Sequence, residues 1–131
     1  MKKLNYLFLV ILVLGCASCS IGQSGKFILS ATDFSAKIKQ TPGAVVLDVR
    51  TPEEYAEGHL ANSLNFNWND DAFEKQMADI DTSKTVFVYC LAGGRSASAA
   101  KYLRSAGFKR MYELSGGMNA WTRAGLAKTK K

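Results

Sequence analysis

The sequence predicts an α/β domain whose central, mainly parallel sheet carries helices on both faces. Three observations lead there. Segments with strand and helix patterns alternate along the chain, as in βαβ architectures. Ala44–Val49 and Thr85–Tyr89 are nearly continuous apolar runs, the mark of strands covered on both sides. The 131 residues are enough for one domain, and 47% hydrophobic residues supply its core.

Each element has a local reason. Phe27-Ile28-Leu29 is a short strand, and Ser30 to Asp33 carry helix-start chemistry. Phe34 and Ile38, set among Lys37 and Lys39, suit a short amphipathic helix that Thr41-Pro42-Gly43 ends. After the Ala44–Val49 strand, Thr51 stands at a cap and Pro52 at the first helical position. The glutamate three residues after the cap completes a capping box, and Gly58 closes this short helix. His59 to Phe66 is a turn feeding a brief strand, and Asp71 to Asp79 has helical periodicity through Phe73, Met77 and Ile80. Thr85–Tyr89 is the second buried strand, followed by a helix from Arg95 to Ala106 that ends at Gly107. Met111–Leu114 is the last strand, and Gly116-Gly117 leads into a short helix bearing Trp121.

The first residues belong to a different class. Met1-Lys2-Lys3 is a basic start, and Leu7 to Leu14 is an apolar run well short of the ~20 residues that span a bilayer. That pattern fits a secretory signal. Val13 at −3 and Gly15 at −1 before Cys16 are similar to a bacterial lipoprotein signal, in which the cysteine becomes the lipidated first residue. Cys19 is the alternative, with Cys16 then in the aliphatic place. The same letters spell Cys-x-x-Cys, but a redox motif draws its reactivity from a helix start inside a domain. Here it precedes the tether Ile21–Gly25, so a plain cleaved signal ranks second and the redox motif last. The chain therefore divides into a signal peptide (1–15), an anchor cysteine and tether (16–25), a domain (26–127) and a basic tail (128–131). The expected location is the bacterial envelope, periplasmic and lipid-anchored, with several acyl chains giving a stable membrane attachment.

Export reinterprets the charge. The formal net charge of +6 includes Lys2 and Lys3 in the leader and Lys128, Lys130 and Lys131 in the tail. Without them the domain is nearly balanced, and no basic face is gathered for nucleic acid. The tail is expected to be a solvated, frayed end. One histidine and one domain cysteine cannot complete a tetrahedral metal site, so neither metal nor cofactor is expected.

The chemistry concentrates in Cys90-Leu91-Ala92-Gly93-Gly94-Arg95-Ser96, a strand-to-helix turn at the carboxyl edge where ligands of such sheets bind. A thiolate is the nucleophile, and a cysteine just before a helix N-terminus faces unpaired N–H groups and the positive dipole end. Gly93 and Gly94 are expected to let successive N–H groups turn inward as an anion nest. Cys90 would then ionise without a base. His59, 31 positions away in the sequence, is read as a hydrogen-bonded turn residue.

Four stretches taken together resemble the single-domain rhodanese-like proteins: Val46–Tyr55, Gly58-His59-Leu60-Ala61-Asn62-Ser63, Cys90–Ser96 and Gly116–Trp121. The resemblance covers about residues 27 to 127 in the family's order. It implies an α/β rhodanese-like fold and a sulfurtransferase that moves sulfane sulfur through a Cys90 persulfide. The donor would be thiosulfate or a persulfide, the acceptor a thiol or cyanide-like molecule, and a protein acceptor is a further possibility. The loop Leu91–Ser96 would bind the persulfide, and Asp48 and Arg50, matching the family's Asp-x-Arg stretch, would organise the edge of the site. Arg95 would serve the anionic donor or persulfide, or else form an ion pair with a carboxylate such as Asp48 or Glu53. Rhodanese-like phosphatases and arsenate reductases place five residues between Cys and Arg, whereas only Leu91 to Gly94 stand here, a loop suited to one sulfur atom. Uncharged Leu91 and Ala92 replace the basic residues of some thiosulfate-using members, which argues against thiosulfate as natural donor. Phe66, Trp68 and Trp121 read as core or rim aromatics. A monomer is expected. A non-enzymatic persulfide carrier serving one partner is the main rival, and a thiol redox sensor the third.

Overall fold

The computed structural model describes residues 27–131. The proposed signal, Cys16, Cys19 and the tether lie outside the described residues. Among those described, no helix is long and apolar enough to cross a membrane.

Strands and helices alternate in chain order: β1 (Ile28–Leu29), α1 (Ala31–Lys39), β2 (Val45–Asp48), α2 (Pro52–Glu57) and β3 (Leu64–Asn65), then α3 (Phe73–Ala78), β4 (Val86–Tyr89), α4 (Gly94–Ser105), β5 (Met111–Leu114) and α5 (Gly117–Arg123). All strand pairs are parallel, in the order β1-β5-β4-β2-β3. Register places Val46 beside Phe87 and Asp48 beside Tyr89.

Side-chain alternation along β4 divides the core. Phe87 and Tyr89 face α1 and α5, where Phe34, Leu114, Met118 and Trp121 enclose them. Val86, Val88 and Cys90 face the other way, toward Phe73 and Met77 of α3 and Ala99, Ala100 and Leu103 of α4. Phe34 meets Phe87 edge-on at 5.3 Å, so truncating either ring would cost about 3–5 kcal/mol. Phe66 and Trp68 pack partly buried against the second layer, and Trp121 is buried in the first.

The start signals operate as their chemistry requires. Ser30 Oγ accepts from the Asp33 N–H at 3.2 Å. Thr51 Oγ1 accepts from the Glu54 N–H at 3.2 Å while Glu54 Oε2 accepts from the Thr51 N–H at 2.9 Å, a complete capping box. α3 starts later than Asp71, because Asp70 Oδ1 accepts from the Ala72 N–H at 2.8 Å and holds a turn there.

The basic tail is a correction. Thr129 pairs with His59 through reciprocal backbone hydrogen bonds of 2.9 and 2.8 Å. Residues 128–131 thus join the domain rather than fray from it. All four are polar or charged, and the attachment is made mostly by their main chain, with Lys128 Nζ adding a 3.3 Å hydrogen bond to Thr122 Oγ1.

Candidate active site

β4 ends at Tyr89, and the next residue, Cys90, is 1% exposed at the sheet's carboxyl edge. The loop that follows turns its N–H groups toward sulfur. Cys90 Sγ accepts from the Gly93 N–H at 3.0 Å and lies 3.4 Å from Ser96 Oγ. Ser96, itself buried, donates its hydroxyl to the Gly93 carbonyl at 3.1 Å. When Cys90 loses its proton, rotation about the Ser96 Cβ–Oγ bond turns that hydroxyl onto the thiolate.

The loop's carbonyls point elsewhere. Those of Cys90 and Leu91 accept from the N–H groups of Met118 and Asn119 at 2.8 and 3.0 Å, the first turn of α5. One helix terminus therefore uses its unpaired donors to hold the carbonyls outward, which leaves the loop's own donors for sulfur.

The loop's shape depends on glycine at Gly93 and Gly117 and not on the neighbouring pair Gly93-Gly94. Gly93 caps α4 with φ 118°, in the left-handed region. Gly94 is the first helical residue, has no positive φ, and a Cβ there would meet nothing within 4 Å. The expectation that both glycines shape the nest is thus corrected. The second required glycine is Gly117, with φ 57°, where a Cβ would fall 2.5 Å from the Cys90 carbonyl oxygen and 2.6 Å from the Leu91 carbonyl carbon. In the sequence, Gly116-Gly117 is a helix start and opens one of the four family-like stretches, with no contact to the Cys90 loop assigned to it. Its signal was the doubled glycine, whose contact with a loop 26 positions earlier only folding reveals.

These contacts set the thiol's acidity. Burial is the largest single influence on Cys90 and pushes its pKa up. The Ser96 hydroxyl and the backbone N–H groups of Ser96, Gly93 and Ala92 together outweigh it, so the thiol ionises below its ordinary value. No imidazole takes part. His59 is 2% exposed, its ring nitrogens lie 2.8 Å from the carbonyl oxygens of Tyr55 and Lys131, and it stacks on Tyr55 at 3.6 Å.

Arg95 is paired, with a carboxylate other than the two expected. Its guanidinium makes two hydrogen bonds of 2.8 and 2.9 Å to Glu54, the same carboxylate that completes the α2 capping box. The Arg95 bond is the main reason that Glu54 is held at a pKa of about 2. Asp48 is committed to Arg50, at 2.6 Å in a buried pair. Arg50 also donates to the Gly58 carbonyl at 2.7 Å and lies over the Tyr89 ring at 5.6 Å. Asp48 and Arg50 thus fasten the end of β2 to the turn before β3, beside the end of β4, and make no hydrogen bond to the Cys90 loop. The rim is apolar and neutral: Leu91 is 38% exposed, and Ala92 is also exposed.

A model of the Rhodanese-like domain matches residues 30–124. The chain is 32% identical over 98 residues to a protein of Allochromatium vinosum named sulfurtransferase, covering 75% of this chain and 90% of that one. It is 36% identical over 90 residues to thiosulfate sulfurtransferase 16, chloroplastic, of Arabidopsis thaliana, covering 61% and 75%. The crystal structure of a rhodanese-related protein from Thermoplasma volcanium superposes with a TM-score of 0.69 at 29% identity, covering 79% of this chain and 97% of that one. The rhodanese-like domain from Anabaena sp. gives 0.71 at 25% identity, covering 82% and 81%. Sheet order, loop geometry and these likenesses agree: the chain belongs to the Rhodanese-like domain family.

Proposed function

We propose that this protein is a rhodanese-type sulfurtransferase that carries sulfane sulfur as a Cys90 persulfide. One observation bears most of the weight: a buried cysteine sulfur 3.0 Å from a loop N–H and 3.4 Å from a serine hydroxyl, acidified with no base beside it. In the forward step the Cys90 thiolate attacks the outer sulfur of the donor. The donor's S–S bond breaks, the new Cys90 S–S bond forms, and the leaving group (sulfite from thiosulfate, a thiolate from a persulfide) departs with the bonding electron pair. The loop donors that held the thiolate then hold the terminal sulfur anion. An acceptor thiolate or cyanide attacks that sulfur and regenerates Cys90. No external oxidant or reductant is consumed.

The test is mass spectrometry of the protein after incubation with thiosulfate and with glutathione persulfide. A gain of one sulfur, absent in Cys90→Ser, is expected with at least one donor. No adduct from either, together with hydrolysis of a phosphate ester, would overturn the proposal.

The exposed Leu91 rim favours a second reading, a persulfide carrier that delivers to one protein partner. Turnover with small acceptors supports the enzyme, and transfer confined to one protein supports the carrier. The spacing of Val13, Gly15 and Cys16 supports a lipid-anchored, periplasmic location. Globomycin-sensitive processing lost in Cys16→Ser but kept in Cys19→Ser is the expected result. Processing unaffected by Cys16→Ser would remove Cys16 as the anchor.

A further inference from the structure

The two edges of the sheet differ in charge, although the domain as a whole is nearly balanced. Residues 48–81, which end β2 and build α2, β3 and α3, hold nine carboxylates and two basic side chains. Residues 82–127, which build β4, α4, β5 and α5, hold one carboxylate, Glu113, and seven basic side chains. The strand order β1-β5-β4-β2-β3 sends these groups to opposite ends of the sheet, basic toward β1 and acidic toward β3. Folding thus gathers a basic side that the overall balance conceals.

That basic side also exposes apolar surface. Phe27 and Ile28 are 49% and 52% exposed, at the start of β1, an edge strand that pairs with β5 alone. Two open hollows of about 480 and 280 Å³ flank them. Arg104 lines both; its guanidinium bonds Glu113 at 3.1 Å, yet its side chain is half exposed. Lys109 lines the second hollow with Phe27, is exposed, and has no ion-pair partner among the described residues. An aromatic and an aliphatic side chain flanked by exposed cations suit a layer of anionic lipid headgroups. The β3 edge exposes Leu64 as well, but on the acidic side, which such a layer repels.

We infer that the β1 edge, through Phe27, Ile28 and Lys109, lies on the anionic lipid surface of the membrane to which the chain is anchored. The inference rests on the lipid-anchored location proposed above and adds the way the domain is turned there. Cys16 and Phe27 are eleven positions apart, so the connecting chain spans at most about 40 Å. That reach keeps the patch near the membrane, where a contact too weak to hold a free domain suffices. No residue of Cys90–Ser96 lines either hollow, so the docked domain keeps its reactive loop open to donors and acceptors from solvent.

The experiment uses the full chain, purified from bacterial membranes and reconstituted into vesicles of brominated phosphatidylcholine with phosphatidylglycerol. Bromine in the acyl chains quenches tryptophan on contact, so Phe27→Trp and Leu64→Trp report the two edges above the wild-type signal of Trp68 and Trp121. Quenching is expected in Phe27→Trp and not in Leu64→Trp, and it should fade when the phosphatidylglycerol is left out. Adding Lys109→Gln should lower the docked-to-free ratio about fivefold, the worth of one basic residue at an anionic surface. Lys109→Glu should lower it further, and Lys75→Gln on α3 should leave it unchanged. Equal quenching at the two edges, or none at either, in a chain that floats with the vesicles would overturn the inference while leaving the anchor intact. A dimer in detergent that Ile28→Glu splits would overturn it too, by giving the edge to a second copy. A wild-type chain that does not float with the vesicles would remove the anchor itself and the docking with it.

Discussion

Strands β2 and β4 end side by side, yet the two ends are held by different kinds of group. At the end of β2 the work falls to charged side chains, Asp48 and Arg50, both buried and bonded to each other and to the Gly58 carbonyl. At the end of β4 it falls to the main chain, with N–H groups on the Cys90 sulfur and the α5 terminus on the loop carbonyls. A buried ion pair fixes geometry but holds its charges permanently. A cradle of backbone dipoles costs no counter-charge, and it serves whichever anion occupies it, thiolate or persulfide. The first end is therefore built for stability and the second for a change of charge state.

The largest effects should separate the two ends. Asp48→Asn strands the buried Arg50 guanidinium and should destabilise the domain by about 3–5 kcal/mol in urea unfolding. Replacing both partners by apolar residues should cost less than Asp48→Asn alone, because no charge is left unpaired. If the single and double replacements cost the same, the pair is not what holds the β2 end.

Gly117→Ala should come next, costing about 2–4 kcal/mol through a left-handed backbone and a Cβ driven into the Cys90 carbonyl. Its distinguishing mark is in the thiol. The folded fraction should alkylate more slowly at neutral pH than wild type, whereas folded Asp48→Asn should alkylate at the wild-type rate. Gly94→Ala should leave both stability and alkylation nearly unchanged, since that position has ordinary backbone angles and open space.

Ser96→Ala is a smaller change, costing about 1 kcal/mol of stability for the lost hydroxyl bond to the Gly93 carbonyl. It should raise the Cys90 pKa, seen as an alkylation profile displaced to higher pH. An unmoved profile would leave the backbone alone as the source of acidity.

Glu54→Gln should be the weakest. Both partners of the Glu54–Arg95 pair are about a quarter exposed, so water screens it to roughly 1 kcal/mol or less. Glu54 is held at about 2, below its ordinary 4.5, so its contribution is fully present above that ordinary value. It declines as pH falls toward the folded value and is lost below it. The stability gap between wild type and Glu54→Gln should thus shrink between pH 5 and about pH 2.

The sequence made legible what is local. Thr51-Pro52-Glu53-Glu54 specifies a cap within four residues, and Cys90 before a glycine-rich helix start specifies an anion nest. It hid what depends on contacts between distant segments. Glu54 and Arg95 are 41 positions apart, and Glu53 and Asp48 were equally plausible partners until α2 and α4 were placed. Gly117 and the Cys90 carbonyl meet because α5 docks under the loop, and a doubled glycine carries no record of that contact. The tail misled for a related reason: its lysines suggested solvent, while its main chain pairs with His59.

The central claim is that main-chain and hydroxyl donors, without an imidazole, make Cys90 a thiolate. Its most direct measurement is the pH dependence of Cys90 alkylation in wild type and His59→Gln, followed on the folded protein. The expected profile has a midpoint below the ~8.5 of a free cysteine, identical in both proteins. A midpoint at or above that value, or one that moves with His59→Gln, would contradict it.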